Sequence, residues 1–191
     1  MRSRPAEPAT LNVTYGLDNT IVYQNGIDYN QMRYGGNGST IVENTVFVVN
    51  NTGCFEDDYT GFTAGAIALV PYVPDNCTVY DQALLAQYVA KASAVLQFLP
   101  SPVTLLNSRV RAVDWTEDSE TVTIPTFSIS YALGQTLQQT VGATVKLAID
   151  ASLYLETTFN VICDTGRASN EADLVVVGAH LGTYACLQEP S

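Results

Sequence analysis

The chain has 191 residues, of which 47% are hydrophobic and 14% are charged, so it can bury the core of about one ordinary domain. Nineteen acidic residues against eight basic ones give a net charge of −11, which argues against binding to nucleic acids or to anionic membranes. No apolar run in the sequence reaches the ~18 residues of a membrane-spanning helix.

The first half of the chain is predicted to consist of short strands and turns. Residues 1–10 carry arginines and prolines without a following apolar segment, so they do not form a signal peptide and are expected to be disordered. Within residues 11–49, Asn25-Gly26 is the pair favoured in two-residue hairpins. Short apolar runs then predict strands at residues 45–50 and 66–70.

Residues 81–99 form the best helical window of the chain. Apolar side chains recur there at i, i+3 and i+4 spacing, beginning with Leu84, Leu85, Tyr88 and Val89. One interpretation is a single long helix. The other ends the helix near Ser93 and makes residues 94–98 a strand, and periodicity alone does not choose between them.

The second half of the chain is predicted to contain one short helix among strands. The helix covers residues 131–140, with Ser130 as its N-cap and Gly142 beyond its end. The predicted strands are residues 124–130, 144–149, 158–163 and 174–179. The strand at 144–149 alternates cleanly between apolar and polar residues, so one of its faces should contact solvent.

Four Asn-x-Ser/Thr sequons indicate passage through the secretory pathway and are candidates for glycosylation, at Asn12, Asn37, Asn50 and Asn76.

The four cysteines are Cys54, Cys77, Cys163 and Cys186. They form no Cys-x-x-Cys pair, which argues against a structural zinc site, and the sequence leaves open three complete disulfide pairings as well as free thiols.

His180 is the single histidine of the chain, and it follows the strand predicted at residues 174–179. The carboxyl end of a buried strand is where α/β enzymes place catalytic groups. A serine hydrolase triad is not indicated, because no serine lies in a Gly-x-Ser-x-Gly turn. A catalytic zinc ion needs three or four protein ligands, and only Cys186 and Glu189 follow His180 as candidates. The acidic run Glu56-Asp57-Asp58 is expected to be a solvated loop.

Two stretches near the C-terminus resemble the opening strands of the dizinc aminopeptidases of the aminopeptidase Y type. They are Thr158-Phe-Asn-Val-Ile-Cys-Asp-Thr165 and Asp173-Leu-Val-Val-Val-Gly-Ala-His-Leu181, in the order and spacing of that family. The resemblance aligns His180 with the first zinc ligand. Gly182 stands where the family has an aspartate that orients the ligand or its metal.

Upstream, the chain resembles the protease-associated (PA) domain that is often inserted in that family. The matching segments are Asn51-Thr-Gly-Cys-Phe-Glu-Asp-Asp-Tyr59, Gly65-Ala-Ile-Ala-Leu-Val70, Asn76-Cys-Thr78, Ala90-Lys-Ala-Ser-Ala-Val-Leu-Gln-Phe98 and Ile124-Pro-Thr-Phe-Ser-Ile-Ser-Tyr-Ala-Leu-Gly-Gln-Thr-Leu137. The chain departs from the family after residue 70, where Pro71-Tyr-Val-Pro-Asp75 replaces an Arg-Arg-Gly sequence.

The resemblance implies an α+β fold: a PA-type open barrel or sandwich, rich in β-strands and with short helices, followed by two strands of an incomplete α/β peptidase sheet. The implied organisation is a disordered N-terminus at 1–10, a PA domain at 11–150, the first strands of a truncated zinc-peptidase domain at 151–181, and an unmatched tail at 182–191.

The resemblance also implies a disulfide between Cys54 and Cys77, with Cys163 and Cys186 left free. It favours helix, turn and strand for residues 81–99, although Ser93 replaces the usual glycine of that turn.

For function, the resemblance implies an aminopeptidase that uses two zinc ions, with His180 as one ligand of a site that is incomplete here. We therefore expect that this chain binds no zinc and is inactive as an enzyme. The predicted role is a non-catalytic module for substrate access or protein interaction, whose partner is a peptide or protein. The alternatives are a metallo-aminopeptidase that hydrolyses N-terminal residues of peptides, and a secreted domain in receptor or sorting roles. The expected location is secreted or vacuolar/lysosomal.

Overall fold

The computed structural model describes residues 2–99, 101–102, 109–112, 116, 118–140 and 142–154. The chain divides into two units, and all of these residues belong to the first, Met1–Glu156. The strands of this unit are β1 (Arg2–Tyr15), β2 (Asn19–Val22), β3 (Tyr29–Gln31), β4 (Gly38–Val48), β5 (Ile67–Pro71), β6 (Ala94–Phe98), β7 (Thr126–Ile129) and β8 (Thr144–Tyr154). The two α-helices are α1 (Val79–Leu84) and α2 (Tyr131–Gln139).

The strands form one mixed sheet in the order β2-β1-β8-β4-β5-β6-β7-β3, which curls into a half-barrel. Strand β4 joins two differently built halves. Its residues 38–45 pair antiparallel with β8, whereas residues 46–48 pair parallel with β5. The parallel strands β5 and β6 are connected through α1, as parallel neighbours require a crossover. The predicted α+β class, with an open barrel and short helices, is confirmed.

The inner face of the half-barrel is apolar because its strands alternate between buried and exposed side chains. In β8, Val145, Leu147 and Ile149 are buried and Lys146 is exposed, as the alternating pattern predicted. These side chains pack with Phe127 of β7 and with residues of α2, which begins at the predicted N-cap. A second apolar cluster lies on the other face of β5 and β6, beneath α1 and the turn that follows it.

The helical window at residues 81–99 is divided into helix, turn and strand, which agrees with the PA resemblance and not with a single long helix. Helix α1 continues as a π-helical turn, Leu85–Val89, and β6 begins at Ala94. Lys91 ends the helical segment in the left-handed conformation (φ 58°), and the Ala92 N–H donates to the Ala86 carbonyl at 2.9 Å. The segment thus ends on a left-handed residue without glycine, and the Ala92 bond reaches one residue further back than the 6→1 bond of a Schellman C-cap.

The N-terminal segment differs from the expectation of disorder, because β1 already begins at Arg2 and pairs with β8 as far as Tyr154. Two prolines in this segment argued against a strand. They are accommodated because β2 pairs with β1 only over residues 12–15, which leaves the preceding part of β1 at a sheet edge. The register with β8 also shifts twice between Pro5 and Thr10, as prolines at bulges require.

The Asn25-Gly26 pair marks a turn, as predicted, but not the two-residue hairpin in which such a pair is favoured. Gly26 takes a left-handed conformation (φ 83°) in a turn that ends at β3. Strand β2 instead forms its hairpin with β1, and β3 pairs with β7 at the other end of the sheet order. Tertiary pairing therefore overrides the local hairpin preference.

Candidate functional site

Asp58 has a buried carboxylate, and the residues around it bind that carboxylate through hydrogen bonds. The Cys54 and Phe55 N–H groups donate to its Oδ2 at 3.0 and 3.3 Å. The Thr52 hydroxyl donates to Oδ2 at 3.2 Å, and the Asn51 amide donates to Oδ1 at 3.0 Å. Burial alone would raise the pKa of Asp58, but these hydrogen bonds stabilise the charged form and lower its pKa below the ordinary value.

Asp58 corrects the expectation that the whole acidic run is a solvated loop. Glu56 and Asp57 are exposed, whereas Asp58 is 4% exposed and shapes the turn that precedes the 3₁₀ helix Glu56–Tyr59. The burial of Asp58 could have been suspected from the sequence only through its spacing from the residues that donate to it. Asp58 lies three to seven residues after the donors that it binds, which is a spacing typical of a local side-chain to backbone turn.

The turn is joined covalently to the start of α1 by the disulfide Cys54–Cys77, with an S–S distance of 2.08 Å. The pairing implied by the PA resemblance is confirmed. Immediately after Cys77, Thr78 caps α1, because its hydroxyl accepts from the Asp81 N–H at 3.1 Å. The Asp81 carboxylate accepts in return from the Thr78 N–H and hydroxyl, at 2.9 and 2.7 Å, which completes a capping box.

Inside the protein, Gln82 connects α1 to the same turn. Its Nε2 donates to the carbonyls of Thr52 and Pro71, at 2.7 and 2.9 Å, and its Oε1 accepts from the buried amide of Gln97. The Tyr59 hydroxyl, held between the carbonyls of Gly53 and Gln82, adds a further link. Burial and the neighbouring Asp58 charge raise the pKa of Tyr59, so its hydroxyl stays a donor at all physiological pH values.

These fixed elements border an open cleft of about 470 Å³. Its apolar lining comes from α1 and the π-helical turn and consists of Leu84, Leu85, Tyr88 and Val89. The disulfide and the acidic residues Asp81 and Glu120 complete the lining. Tyr88 and Val89 remain 45% and 42% exposed. A concave apolar surface with a few polar groups is the usual form of a binding site, so we treat this cleft as the candidate functional site.

The family to which this fold corresponds is given by sequence comparison. The family described as PA domain matches residues 40–137, which is half of the chain and includes β4 to α2. The chain belongs to the PA domain family. The disulfide, the helix-turn-strand segment after it and the cleft all lie within the matched residues.

The chain is similar to proteins that are described as aminopeptidases. A protein of Aspergillus fumigatus described as probable leucine aminopeptidase 2 is 32% identical over 136 residues, which are 70% of this chain and 26% of that protein. A zinc aminopeptidase from Bacillus subtilis has a similar fold, with a TM-score of 0.51 and 18% identity over 79% of this chain and 34% of that structure. Its medium-resolution crystal structure gives 19% identity with the same TM-score and coverage. The chain thus spans about a quarter of the length of its curated relative.

The predicted zinc ligand, His180, lies outside the described residues, as do Gly182, Cys163 and Cys186 and both strands of the predicted peptidase sheet. Within the part that the structure describes, no three His, Cys, Asp or Glu side chains are placed to hold a metal ion. The described part of the PA domain therefore offers no zinc site, and we derive no reaction step from one. None of its described helices is long and apolar enough to cross a membrane.

The four sequon asparagines lie in two different settings. Asn37, Asn50 and Asn76 are exposed in loops, before β4, after β4 and before α1. Asn12 is half-buried within β1, paired on one side with Val22 and on the other with Lys146. Its side-chain oxygen is buried without a hydrogen-bond partner among the described residues.

Proposed function

We propose that this PA domain is a non-catalytic module that contacts peptides or proteins and, next to a peptidase, shapes substrate access. The observation that carries the proposal is the cleft beside Cys54–Cys77, where apolar side chains stay exposed on a scaffold fixed by a disulfide, a capping box and a buried glutamine. An apolar surface that folding leaves open is a common feature of interaction sites. The proposed partner is therefore a peptide or protein segment.

A second candidate function, hydrolysis of N-terminal residues of peptides, is supported by the names of the relatives. They are described as a probable leucine aminopeptidase and a zinc aminopeptidase. In this alternative, His180 would be one zinc ligand, as the resemblance of its strand implies. Zinc would activate a water molecule for attack on the peptide bond.

Zinc binding and turnover distinguish the two functions. We would purify the chain, remove metal with a chelator, and titrate zinc by calorimetry, with the His180→Ala variant as the control. Hydrolysis of leucyl-p-nitroanilide would be followed with and without zinc. We expect neither tight zinc binding that depends on His180 nor turnover above that of His180→Ala. A tight site that is lost in the variant, together with turnover, would establish the aminopeptidase and refute the non-catalytic role.

The location of the protein is proposed to be the secretory pathway, with release to the outside or delivery to a vacuole or lysosome. The Cys54–Cys77 disulfide supports this, because disulfides persist in oxidising compartments. Three exposed sequons, at Asn37, Asn50 and Asn76, are compatible with glycosylation there.

A further inference from the structure

The outward face of α1 and the π-helical turn has an unusual composition. Gln82 points into the protein and is 1% exposed, whereas Tyr88 and Val89 remain open to solvent. A helix that covers a sheet normally places its apolar side chains inward and its polar ones outward. The buried positions of this segment are instead filled by Gln82 and by the small residues Ala83 and Ala86. Leu84 and Leu85 pack partly against the apolar clusters beneath the segment, whereas Tyr88 and Val89 stay exposed on the cleft side. Folding therefore leaves part of the apolar surface of this segment open to solvent.

The same cleft is acidic. Asp81 and Glu120 line it, and no basic side chain is among the described residues that do so. Neither carboxylate forms an ion pair with any residue in the described part of the chain. The Asp81 carboxylate is held by its capping box, and the backbone of Glu120 is held through its carbonyl, which accepts from the Tyr80 hydroxyl at 2.7 Å. A cation that enters the cleft thus meets two negative charges, of which that of Asp81 is already fixed in position, whereas an anionic partner is repelled.

We propose that the cleft binds a peptide segment in which an apolar side chain lies next to a positive charge. The proposal rests on the interaction role proposed above and names the class of partner. The apolar side chain would pack on Leu84, Leu85, Tyr88 and Val89, and the cation would face Asp81 and Glu120. The cation is either a free N-terminal amino group or a Lys or Arg side chain, because each presents positively charged N–H donors to a carboxylate.

The cleft has the size and stiffness that such binding requires. Its volume of about 470 Å³ lies within the ~300–1,000 Å³ of typical small-ligand sites, which is enough for a few residues of a peptide. The Cys54–Cys77 disulfide and the Gln82 hydrogen bonds hold its walls before any partner arrives. Binding to a preformed surface avoids the cost of ordering it, so that a short peptide can bind measurably.

The test uses four pentapeptides that carry a fluorophore at the C-terminus and are titrated by fluorescence polarisation, with a chelator present to exclude hydrolysis. The first is Leu-Leu-Ser-Gly-Ser with a free amino group, and the second is its acetylated form. The third and fourth are acetylated and have Lys or Glu in place of the first Ser. We expect binding in the order free amino or Lys, then neutral, then Glu. The first and third peptides tell an N-terminal from a side-chain cation.

Matched variants locate the binding to the cleft. Glu120→Gln should weaken the cationic peptides about 2- to 5-fold at low salt and leave the neutral peptide unchanged. Asp18→Asn, an exposed acidic residue of the β1–β2 turn, should have no effect. Val89→Ser should weaken every peptide, whereas the same change at Val22, which is 71% exposed outside the cleft, should weaken none. Circular dichroism and disulfide mapping would show that each variant is folded.

Equal binding of all four peptides, or cleft variants that behave like their controls, would overturn the inference. So would a concentration-dependent dimer, seen by analytical ultracentrifugation, that Val89→Ser abolishes and the peptides do not displace, because the occupant would then be a second copy of the chain. Failure of the proposed function would give a different result, namely His180-dependent zinc binding and turnover in the separate zinc experiment.

Discussion

Replacement of Asp58 tests whether one buried carboxylate organises the turn behind the cleft. Its side chain accepts four hydrogen bonds, two of them from the backbone N–H groups of Cys54 and Phe55. In Asp58→Ala the Phe55 N–H loses its acceptor in a part-buried site, and the Cys54 N–H keeps only its longer bond to the Thr52 hydroxyl at 3.3 Å. In Asp58→Asn an amide oxygen can still accept from both, but without the negative charge.

The expected cost follows from the kinds of hydrogen bond that are lost. A backbone donor left without a partner costs roughly 1–1.5 kcal/mol here, because both sites are only part-buried. The side-chain donors of Asn51 and Thr52 add less, since water can reach them in part. Asp58→Ala should therefore lower the free energy of unfolding by about 3 kcal/mol. Asp58→Asn should lower it by about 1–2 kcal/mol, because hydrogen bonds to a neutral acceptor have roughly half the strength of charge-assisted ones.

The pH dependence has a definite sign. The pKa of Asp58 is lower in the folded protein than the ~3.9 of an unfolded chain. Its charge therefore stabilises the fold fully at pH 7, and this contribution declines as the pH falls from about 5 through the folded-state pKa. In Asp58→Asn the contribution is missing at every pH. The difference between the wild type and this variant should thus be largest at pH 7 and shrink towards pH 3.

Urea unfolding at pH 7, 5 and 3, followed by circular dichroism, gives the required free energies. Asp57→Asn is the matched control, because Asp57 is the exposed neighbour in the same 3₁₀ helix. Its effect should stay within about 0.5 kcal/mol at pH 7. The reasoning would be refuted if Asp57→Asn cost as much as Asp58→Asn, or if the gap between wild type and Asp58→Asn were unchanged or wider at pH 3.

Three other predictions concern the disulfide, the packing of α2 and glycosylation. Replacement of Cys54 and Cys77 by Ser should lower the free energy of unfolding by about 3 kcal/mol, as expected for a bridge that spans 23 residues, and an equal stability of reduced and oxidised protein in urea would contradict this. Gly134→Ala should lower the free energy of unfolding by roughly 1–2 kcal/mol, because the new Cβ would lie 2.4 Å from the Cβ of Phe98, and this clash outweighs the better helix propensity of alanine. Thermal unfolding measures the effect, with Gln139→Ala, on the exposed end of the same helix, as the control. Glycopeptide mass spectrometry of secreted protein should find glycans at the loop sequons Asn37, Asn50 and Asn76 and none at Asn12, which is half-buried in β1. A glycan at Asn12 would show that burial in a strand does not limit glycosylation in this protein.

The parts of the fold that could be predicted from the sequence are those in which local pattern and tertiary burial agree. The alternation in β8 and the N-cap of α2 are local features, and the structure contains both where they were expected. The end of the helical segment after α1 could not be predicted from the hydrophobic pattern alone. Its left-handed residue is Lys91 and not a glycine, so the usual sign of a helix end was missing.

The errors came from residues whose partners are distant in the sequence. The N-terminal segment looks like a disordered tail because its prolines disfavour a strand, yet it pairs with β8, some 140 residues later. In the same way, Asn25-Gly26 is a strong local hairpin signal that is overridden when β3 pairs with β7. Pairing between distant strands depends on the whole sheet, and a single sequence does not contain that information in any local window.

The cleft could not be predicted because the sequence pattern that creates it also describes a buried helix face. Leu84, Leu85, Tyr88 and Val89 recur at helical spacing, which is also the pattern of a helix face that packs on a core. In the structure these four residues line the cleft, while Gln82 and small alanines fill the buried side. A buried glutamine is tolerated because both polar atoms of its side-chain amide are hydrogen-bonded: Nε2 donates to the carbonyls of Thr52 and Pro71, and Oε1 accepts from Gln97. Those bonds help to fix α1 to the sheet beside the half-buried Leu84 and Leu85, and the exposed side chains of Tyr88 and Val89 are left available to a partner.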